Sequence, residues 1–359
     1  MGLRGIAFRV DVSSKIGTGH FMRCLTLAEA LKVQGAQIRF LCRNLPTYLI
    51  DLLNIKDIEH IALVSTDDQE LGDDLAHSGW LGTSQAQDAK ATIQALADQS
   101  WDWIVVDHYA LDERWERAVR KSCTKLMVID DLADRHHDCE VLIDQNYYSD
   151  MQSRYIGKVP KGCQLLLGPR YALLREEFRK LRTEVKPHIG DVKRILVFFG
   201  GIDVRNYTAV AIKALKELNI KLHIDVVIGA QHPHCEQIQN ACIAYGFILH
   251  VQTSSMAKLI SEADLAIGAG GSASWERCCL GLPTLTIAVA ENQINIAKSL
   301  GSIGACCYLG EEVVVNSHIL QHAINKLLLA PGKIRLISQQ ALLLVDGLGT
   351  SRASQVLGF

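Results

Sequence analysis

The chain has 359 residues, of which 48% are hydrophobic and 21% charged, with a formal net charge of −2. That composition excludes a disordered chain, and the charge balance, with no basic block, excludes a nucleic-acid footprint. No uncharged apolar run reaches the ~20 residues of a membrane helix, so neither nucleic acid nor a membrane is expected as a partner. The length exceeds the roughly 250–300 residues at which single cores stop growing, which predicts two domains. Eleven cysteines are scattered along the chain, several in apolar contexts, and read as reduced thiols. Arg9 and Asp11 interrupt the only candidate for a secretory leader, so a cytoplasmic location is the simplest expectation. A monomer is expected as well.

An apolar run over 6–10 predicts a buried strand. It leads into Asp11-Val-Ser-Ser-Lys-Ile-Gly17-Thr-Gly19-His20-Phe-Met-Arg23-Cys24, followed by apolar residues at helical spacing up to Gly35. A strand, a glycine turn and a helix make the first unit of a nucleotide-handling α/β domain. His20 falls in the helix's first turn, where the positive end of the dipole favours the neutral imidazole that a general base needs. A surface capping residue is the alternative. Further strands are expected over 37–43, 58–64, 101–107, 125–129 and 141–143, with helical segments over 86–97 and 115–120. Trp103-Ile-Val-Val106 has no polar alternation and suits a parallel strand covered on both faces. Residues 65–84 read as loop or short helix. A strand over 163–167 and a charged helical segment over 171–182 complete the first domain, 1–182.

Lys186-Pro-His-Ile-Gly190 breaks the pattern, and a second domain is expected over 191–359, its last helix able to pack back on the first. Strands over 194–199, 223–228, 247–251, 264–267 and 284–288 surround a helix over 207–218. The substrate would lie in a cleft between the domains, outside the carboxyl ends of the strands.

Three glycine turns follow strands. Besides Gly17 and Gly19, these are Gly200-Gly201-Ile-Asp203 and Gly268-Ala-Gly270-Gly271-Ser272-Ala-Ser274-Trp-Glu276. In the last, Ser272 and Ser274 suit a helix cap or phosphate oxygens, and Glu276 the vicinal hydroxyls of a ribose. A tight turn with a partnered glutamate is the plain alternative. Neither the dinucleotide fingerprint nor a P-loop is present. His232-Pro-His234-Cys235 and His136-His137-Asp-Cys139 lack a second half at zinc spacing, so no metal and no other cofactor is expected. Polar groups gather at three strand ends: Asp107-His-Tyr109, Asp130-Asp131 and Asp144-Gln-Asn146. Each could equally be a turn whose aspartate caps the next helix.

Together these motifs resemble a known family. Arg9-x-Asp-x-Ser-x-x-Ile-Gly-x-Gly-His20-x-x-Arg-Cys is similar to the opening signature of the UDP-2,4-diacetamido-2,4,6-trideoxy-β-L-altropyranose hydrolases of pseudaminic acid biosynthesis. The match continues through Val106–Tyr109, Ile129–Leu132, Asp144–Asn146, Leu167–Arg175, Phe199–Asp203, Met256, Gly268–Pro283, Asn292-Gln293 and Asp346–Gly349; Ile202, where relatives often carry a small polar residue, is a departure. The resemblance implies a GT-B-like α/β architecture, two Rossmann-like domains facing a central cleft. It assigns the catalytic base to His20 and the sugar side to Asp11, Gly17, Gly19, Arg23, Tyr109 and Asn292. UDP would rest on Gly200, Gly201, Gly270, Gly271, Ser272, Ser274 and Glu276. The implied reaction is metal-independent, inverting hydrolysis of the UDP-sugar, a small-molecule substrate, with water attacking the anomeric carbon opposite the departing UDP. A GT-B glycosyltransferase using a UDP-amino sugar donor is the main rival.

Overall fold

The computed structural model describes residues 4–13, 15–64, 73–218 and 220–359. Much of the 65–84 stretch expected as loop or short helix lies outside the described residues; after it, Ser78–Trp80 forms one 3₁₀ turn. The chain divides into two compact units. The first comprises Met1–Asn146, Asp150–Leu173 and Gly349–Phe359; the second comprises Tyr147–Ser149 and Leu174–Leu348.

The first unit alternates β1 (Gly5–Val10), α1 (Gly19–Val33), β2 (Gln37–Cys42), α2 (Thr47–Ile55), β3 (Glu59–Ala62), α3 (Gln85–Ala95), β4 (Trp101–Asp107), α4 (Glu113–Val119), β5 (Cys123–Ile129), β6 (Val141–Asp144) and β7 (Gln164–Leu167). Its strands form one parallel sheet in the order β3-β2-β1-β4-β5-β6-β7. Side-chain alternation feeds two cores. Ile6, Phe8, Val10, Trp103 and Val105 join Phe21, Leu27 and Phe40 on one face. Ala7, Ile104 and Val106 join Trp101, Trp115 and Leu126 on the other. Burial on both faces is why the Trp103–Val106 run shows no polar alternation.

The second unit holds α5 (Glu176–Arg182), β8 (Arg194–Phe198), α6 (Tyr207–Lys216), β9 (His223–Ile228), α7 (Cys235–Tyr245), β10 (Ile248–Val251), α8 (Met256–Glu262), β11 (Leu265–Ala269), α9 (Ala273–Cys279), β12 (Thr284–Ala288), α10 (Glu291–Ser302), β13 (Cys307–Glu311), α11 (Ser317–Leu328) and α12 (Pro331–Leu344); the chain ends in α13 (Gly349–Val356). Its parallel sheet runs β10-β9-β8-β11-β12-β13.

One boundary differs from the sequence expectation. The chain leaves the first unit after Leu173 rather than after 182, because α5 packs on α8 and α9 with Phe178 fully buried. The expected helix over 171–182 is therefore helical only from Glu176, after a 3₁₀ turn at Pro169–Tyr171. The last helix, α13, belongs to the first unit, where Ala353 and Leu357 enter the core beneath α1.

Both sheets reverse direction once. From β1 the chain builds β2 and β3 to one side and then returns to place β4 on the other; β8 and β11 repeat the pattern. At such a reversal the loops leaving two adjacent strands diverge and open a crevice at their carboxyl ends. The crevices are bounded by residues after Val10 and Asp107 in the first unit, and after Phe198 and Ala269 in the second.

The loop from β5 to β6 is anchored by His137, whose Nδ1 lies 2.7 Å from Glu116 Oε1 on α4. Burial alone would lower the His137 pKa, but the Glu116 and Asp130 carboxylates more than offset it and raise it to about 9. The native state thus keeps a proton that the unfolded chain, with an ordinary pKa near ~6.5, releases. Its stabilisation is complete below that unfolded value and is lost as pH rises towards 9. Urea unfolding from pH 6.5 to 9 should show stability falling, with a slope for this group of at most ~1.4 kcal/mol per pH unit, and His137→Asn should flatten it.

Candidate active site

The first crevice is built around Asp107, the last residue of β4 and fully buried. Its Oδ1 lies 2.5 Å from His20 Nδ1, and Arg23 forks onto it with Nε to Oδ2 at 2.6 Å and a second nitrogen to Oδ1 at 2.7 Å. Burial would raise the Asp107 pKa, but Arg23 and His20 hold it well below the usual carboxylate range. An ionised Asp107 accepts from Nδ1–H, so the other ring nitrogen, Nε2, carries the lone pair. Helical spacing explains the meeting: His20 and Arg23 are one turn apart on α1 and face the same strand end. Asp107 does not cap the following helix; Asp112 does, accepting from the Arg114 N–H.

A second carboxylate completes the cluster. Asp131, after β5, accepts from Arg23 at 3.0 Å and from the Tyr109 hydroxyl at 2.6 Å. Burial, and then the Asp131 charge, push the Tyr109 pKa well above its usual value, which keeps that hydroxyl a donor. The Tyr109 ring meets His20 edge-on at 4.6 Å between centroids. His77 and Trp80 pack on it at 5.3 and 5.7 Å, extending an aromatic surface from the histidine.

Asp11 lies deeper than a ligand contact. Arg9, itself fully buried, grips both its oxygens at 2.6 and 2.8 Å, the Arg43 N–H donates at 2.8 Å, and His108 Nε2 lies 3.3 Å away. Arg9 also bonds Asp88, which holds Arg43 as well. This network ties β1 to β2 and α3. Gly17, with φ of +74°, lets the loop fold back so that its N–H donates to Ser13 O at 2.8 Å. Gly19 opens α1.

In the second crevice Gly200 has a φ of +100°, and a Cβ on Gly201 would meet nothing within 4 Å, so the turn is bare backbone. Asp203 is consumed locally, accepting from Tyr207 N at 3.0 Å and Thr208 N at 2.7 Å to start α6. Within β11, Gly268 is demanded by close approach: a Cβ would stand 2.3 Å from Phe198 O. The Gly270 N–H donates to Gln293 Oε1, which also accepts from Val289 N. Next to it Asn292, the expected ligand contact, is exposed at the start of α10.

Ser272 sits at the start of α9 with no side-chain cap bond. Ser274 is buried and accepts from Arg277 at 3.1 Å, so its hydroxyl is engaged within the turn. Gly271 lies beside the Gln293 amide. Glu276 keeps part of its side chain exposed, 3.5 Å from Arg175, while burial raises its pKa against that cation.

Sequence reading singled out the strand ends carrying Asp107 and Asp131 but left their roles open. Gln293 on Gly270 and Arg175 on Glu276 are not legible there, because each meets a partner far away along the chain; Arg277 meets Ala269 and Ser274 close by, but no spacing marks an arginine as the brace of a turn. Trp80 and His77 fall in a stretch without periodicity.

Comparison with known proteins places this geometry. Residues 194–341 match the Glycosyltransferase family 28 C-terminal domain. The chain is 27% identical over 301 residues to the UDP-2,4-diacetamido-2,4,6-trideoxy-beta-L-altropyranose hydrolase of Campylobacter jejuni, covering 83% of this chain and 97% of that one. It is 28% identical over 213 residues to the spore coat polysaccharide biosynthesis protein SpsG of Bacillus subtilis, covering 58% of this chain and 62% of that one. Among solved structures, MurG of Acinetobacter baumannii aligns over 99% of both chains with a TM-score of 0.66 at 16% identity. UGT2 of Phytolacca americana, complexed with UDP-2fluoro-glucose and pterostilbene, aligns over 99% of both with a TM-score of 0.68 at 12% identity. The fold is GT-B-like, two Rossmann-like α/β units.

The glycines make separable demands. Gly268→Ala should lower stability by ~1–3 kcal/mol, because strand backbone must move. Gly201→Ala should change it by less than ~0.5 kcal/mol. Thermal melts of the two variants check this, and equal losses would contradict the geometry.

Proposed function

For a chain related to the UDP-2,4-diacetamido-2,4,6-trideoxy-β-L-altropyranose hydrolases over four-fifths of its length, we propose hydrolysis of that UDP-sugar to UDP and 2,4-diacetamido-2,4,6-trideoxy-L-altrose, in pseudaminic acid biosynthesis. The single observation that carries the mechanism is the His20–Asp107 contact at 2.5 Å. With Nδ1–H committed to an ionised carboxylate, Nε2 takes the proton of a water as its oxygen attacks the anomeric carbon. The C–O bond to UDP breaks on the opposite face, giving inversion, and the electron pair leaves with the diphosphate. Asp107 does not take the proton; it holds the ring and stabilises the imidazolium that forms.

Arg23 and Asp131 are positioning residues in this scheme. Arg23 has its guanidinium on Asp107 and Asp131, and Asp131 fixes the Tyr109 hydroxyl beside the histidine. Tyr109, with Trp80 and His77, then offers ring surface to the sugar, and Asn292 an exposed amide. Gly17 and Gly19 bring bare backbone to the same side. Asp11 acts at one remove, by holding the strand end from which the loop departs. On the second unit, UDP rests on the turns at Gly200-Gly201 and Gly270-Gly271-Ser272. The other N–H groups of these turns, that of Gly270 being taken by Gln293, receive the diphosphate as its charge develops, in a scheme that uses no metal or other cofactor. Glu276 accepts from the ribose hydroxyls, and Ser274 shapes the turn from within.

The family-28 match and the glycosyltransferase neighbours favour one other reading, transfer of the same sugar to an acceptor. Release of UDP and free sugar with no acceptor present supports hydrolysis; a rate that needs an acceptor supports transfer. His20→Ala should cut turnover by ~10³-fold while UDP affinity stays within ~3-fold. Asp107→Asn, which reverses the hydrogen bond that sets the tautomer, should cost ~10²–10⁴-fold. In ¹⁸O-water the label should appear in the sugar. Label in UDP, or a His20→Ala variant with near-normal turnover, would remove His20 from the role of base.

A further inference from the structure

Arg277, on α9, is buried without a counter-ion. Only 3% of it is exposed, and no ion pair reaches its guanidinium among the described residues. One terminal nitrogen donates to Ala269 O at 2.6 Å and to Ser274 Oγ at 3.1 Å. The other lies 3.1 Å from where a Cβ of Gly268 would stand, and the buried Nε–H has no partner. The neighbouring Glu276 has its carboxylate oxygen towards Arg175 instead.

A desolvated charge held only by neutral acceptors is costly, and folded chains normally answer one with a carboxylate. The first unit does so throughout: Arg9, Arg23 and Arg135 are equally buried and each meets aspartates. Arg277 differs from them in that respect, and burial draws its pKa below the ordinary arginine value. Its two acceptors, Ala269 and Ser274, bracket Gly270, Gly271 and Ser272. The positive charge is therefore sited immediately behind the turn read as the diphosphate site.

We propose that Arg277 is the built-in counter-charge for a diphosphate bound on the Gly270–Ser272 turn, a positioning residue that braces the turn and supplies positive potential beneath it. This rests on the reading of that turn as the UDP site. The anion takes the place of the missing carboxylate, and because the guanidinium is shielded from solvent its field on the turn is weakly screened. The preference this creates is for the pyrophosphoryl group and not for the nucleoside.

Equilibrium binding of UDP and of uridine to the full chain, to Arg277→Gln and to Arg277→Lys tests this. Arg277→Gln should weaken UDP by ~10-fold or more and leave uridine within ~2-fold; Arg277→Lys, which keeps the charge, should recover most of the UDP affinity. Burial lowers a lysine's pKa, so as pH rises the buried lysine of that variant loses its proton before an exposed one would, and its UDP affinity should fall with pH while the wild type stays level. That series decides the matter if Arg277→Gln does not fold. A folded Arg277→Gln chain that binds UDP as the wild type does, loses both ligands equally, or is matched by Arg277→Lys at every pH overturns the counter-charge. A wild-type chain that binds neither UDP nor uridine overturns the UDP reading itself, and this inference with it.

Discussion

Everything the molecule offers chemically hangs on the reversal of strand order between β1 and β4, and again between β8 and β11. A parallel sheet carries its connections on both faces, and only at a reversal do two neighbouring strand ends send their loops apart. The glycine turn after β1 and the Asp107–Tyr109 end of β4 are brought together for that reason. The same geometry joins the Gly200-Gly201 turn to the Gly268–Ser274 turn.

Within the first crevice the governing force is charge compensation under burial. Arg9, Asp11, Asp88 and Arg43 form one group, and His20, Arg23, Asp107 and Asp131 another. Each carboxylate has at least one guanidinium on it, so ionised groups remain in a site nearly closed to solvent. Asp107 and Asp131 each engage Arg23, which links the orientation of the histidine to that of the tyrosine. Asp11 belongs to the supporting group, where its oxygens are taken up by Arg9 and the Arg43 N–H.

The second unit is built differently. Its glycine turn after β11 is held from beside, by Gln293 on the Gly270 N–H and by Arg277 on Ala269 O and the Ser274 hydroxyl. Donors pre-aimed by the fold need little reorganisation when negative charge arrives. Hydrolases and glycosyltransferases that share this architecture differ in what attacks the anomeric carbon, so likeness of fold does not separate them. The His20–Asp107 pair is where a water-activating reading finds its physical basis.

The sequence alone determined the α/β class, the restart of the pattern near residue 190, and the glycine turns that follow the strands. Those features are local: apolar runs set strands, helical spacing sets α1, and paired glycines mark backbone that must bend or be approached closely. It also marked the polar strand ends at Asp107 and Asp131. Only the tertiary structure decided what they do, because His20 meets Asp107 across 87 positions of chain and Arg23 meets Asp131 across 108. The passage between units at Leu173 and Leu174 and the strand β13 were likewise out of reach. They depend on which distant surface covers Phe178, and on pairing along an edge whose own residues are only half-buried. Periodicity says which face of an element is apolar; it does not say what will lie against it.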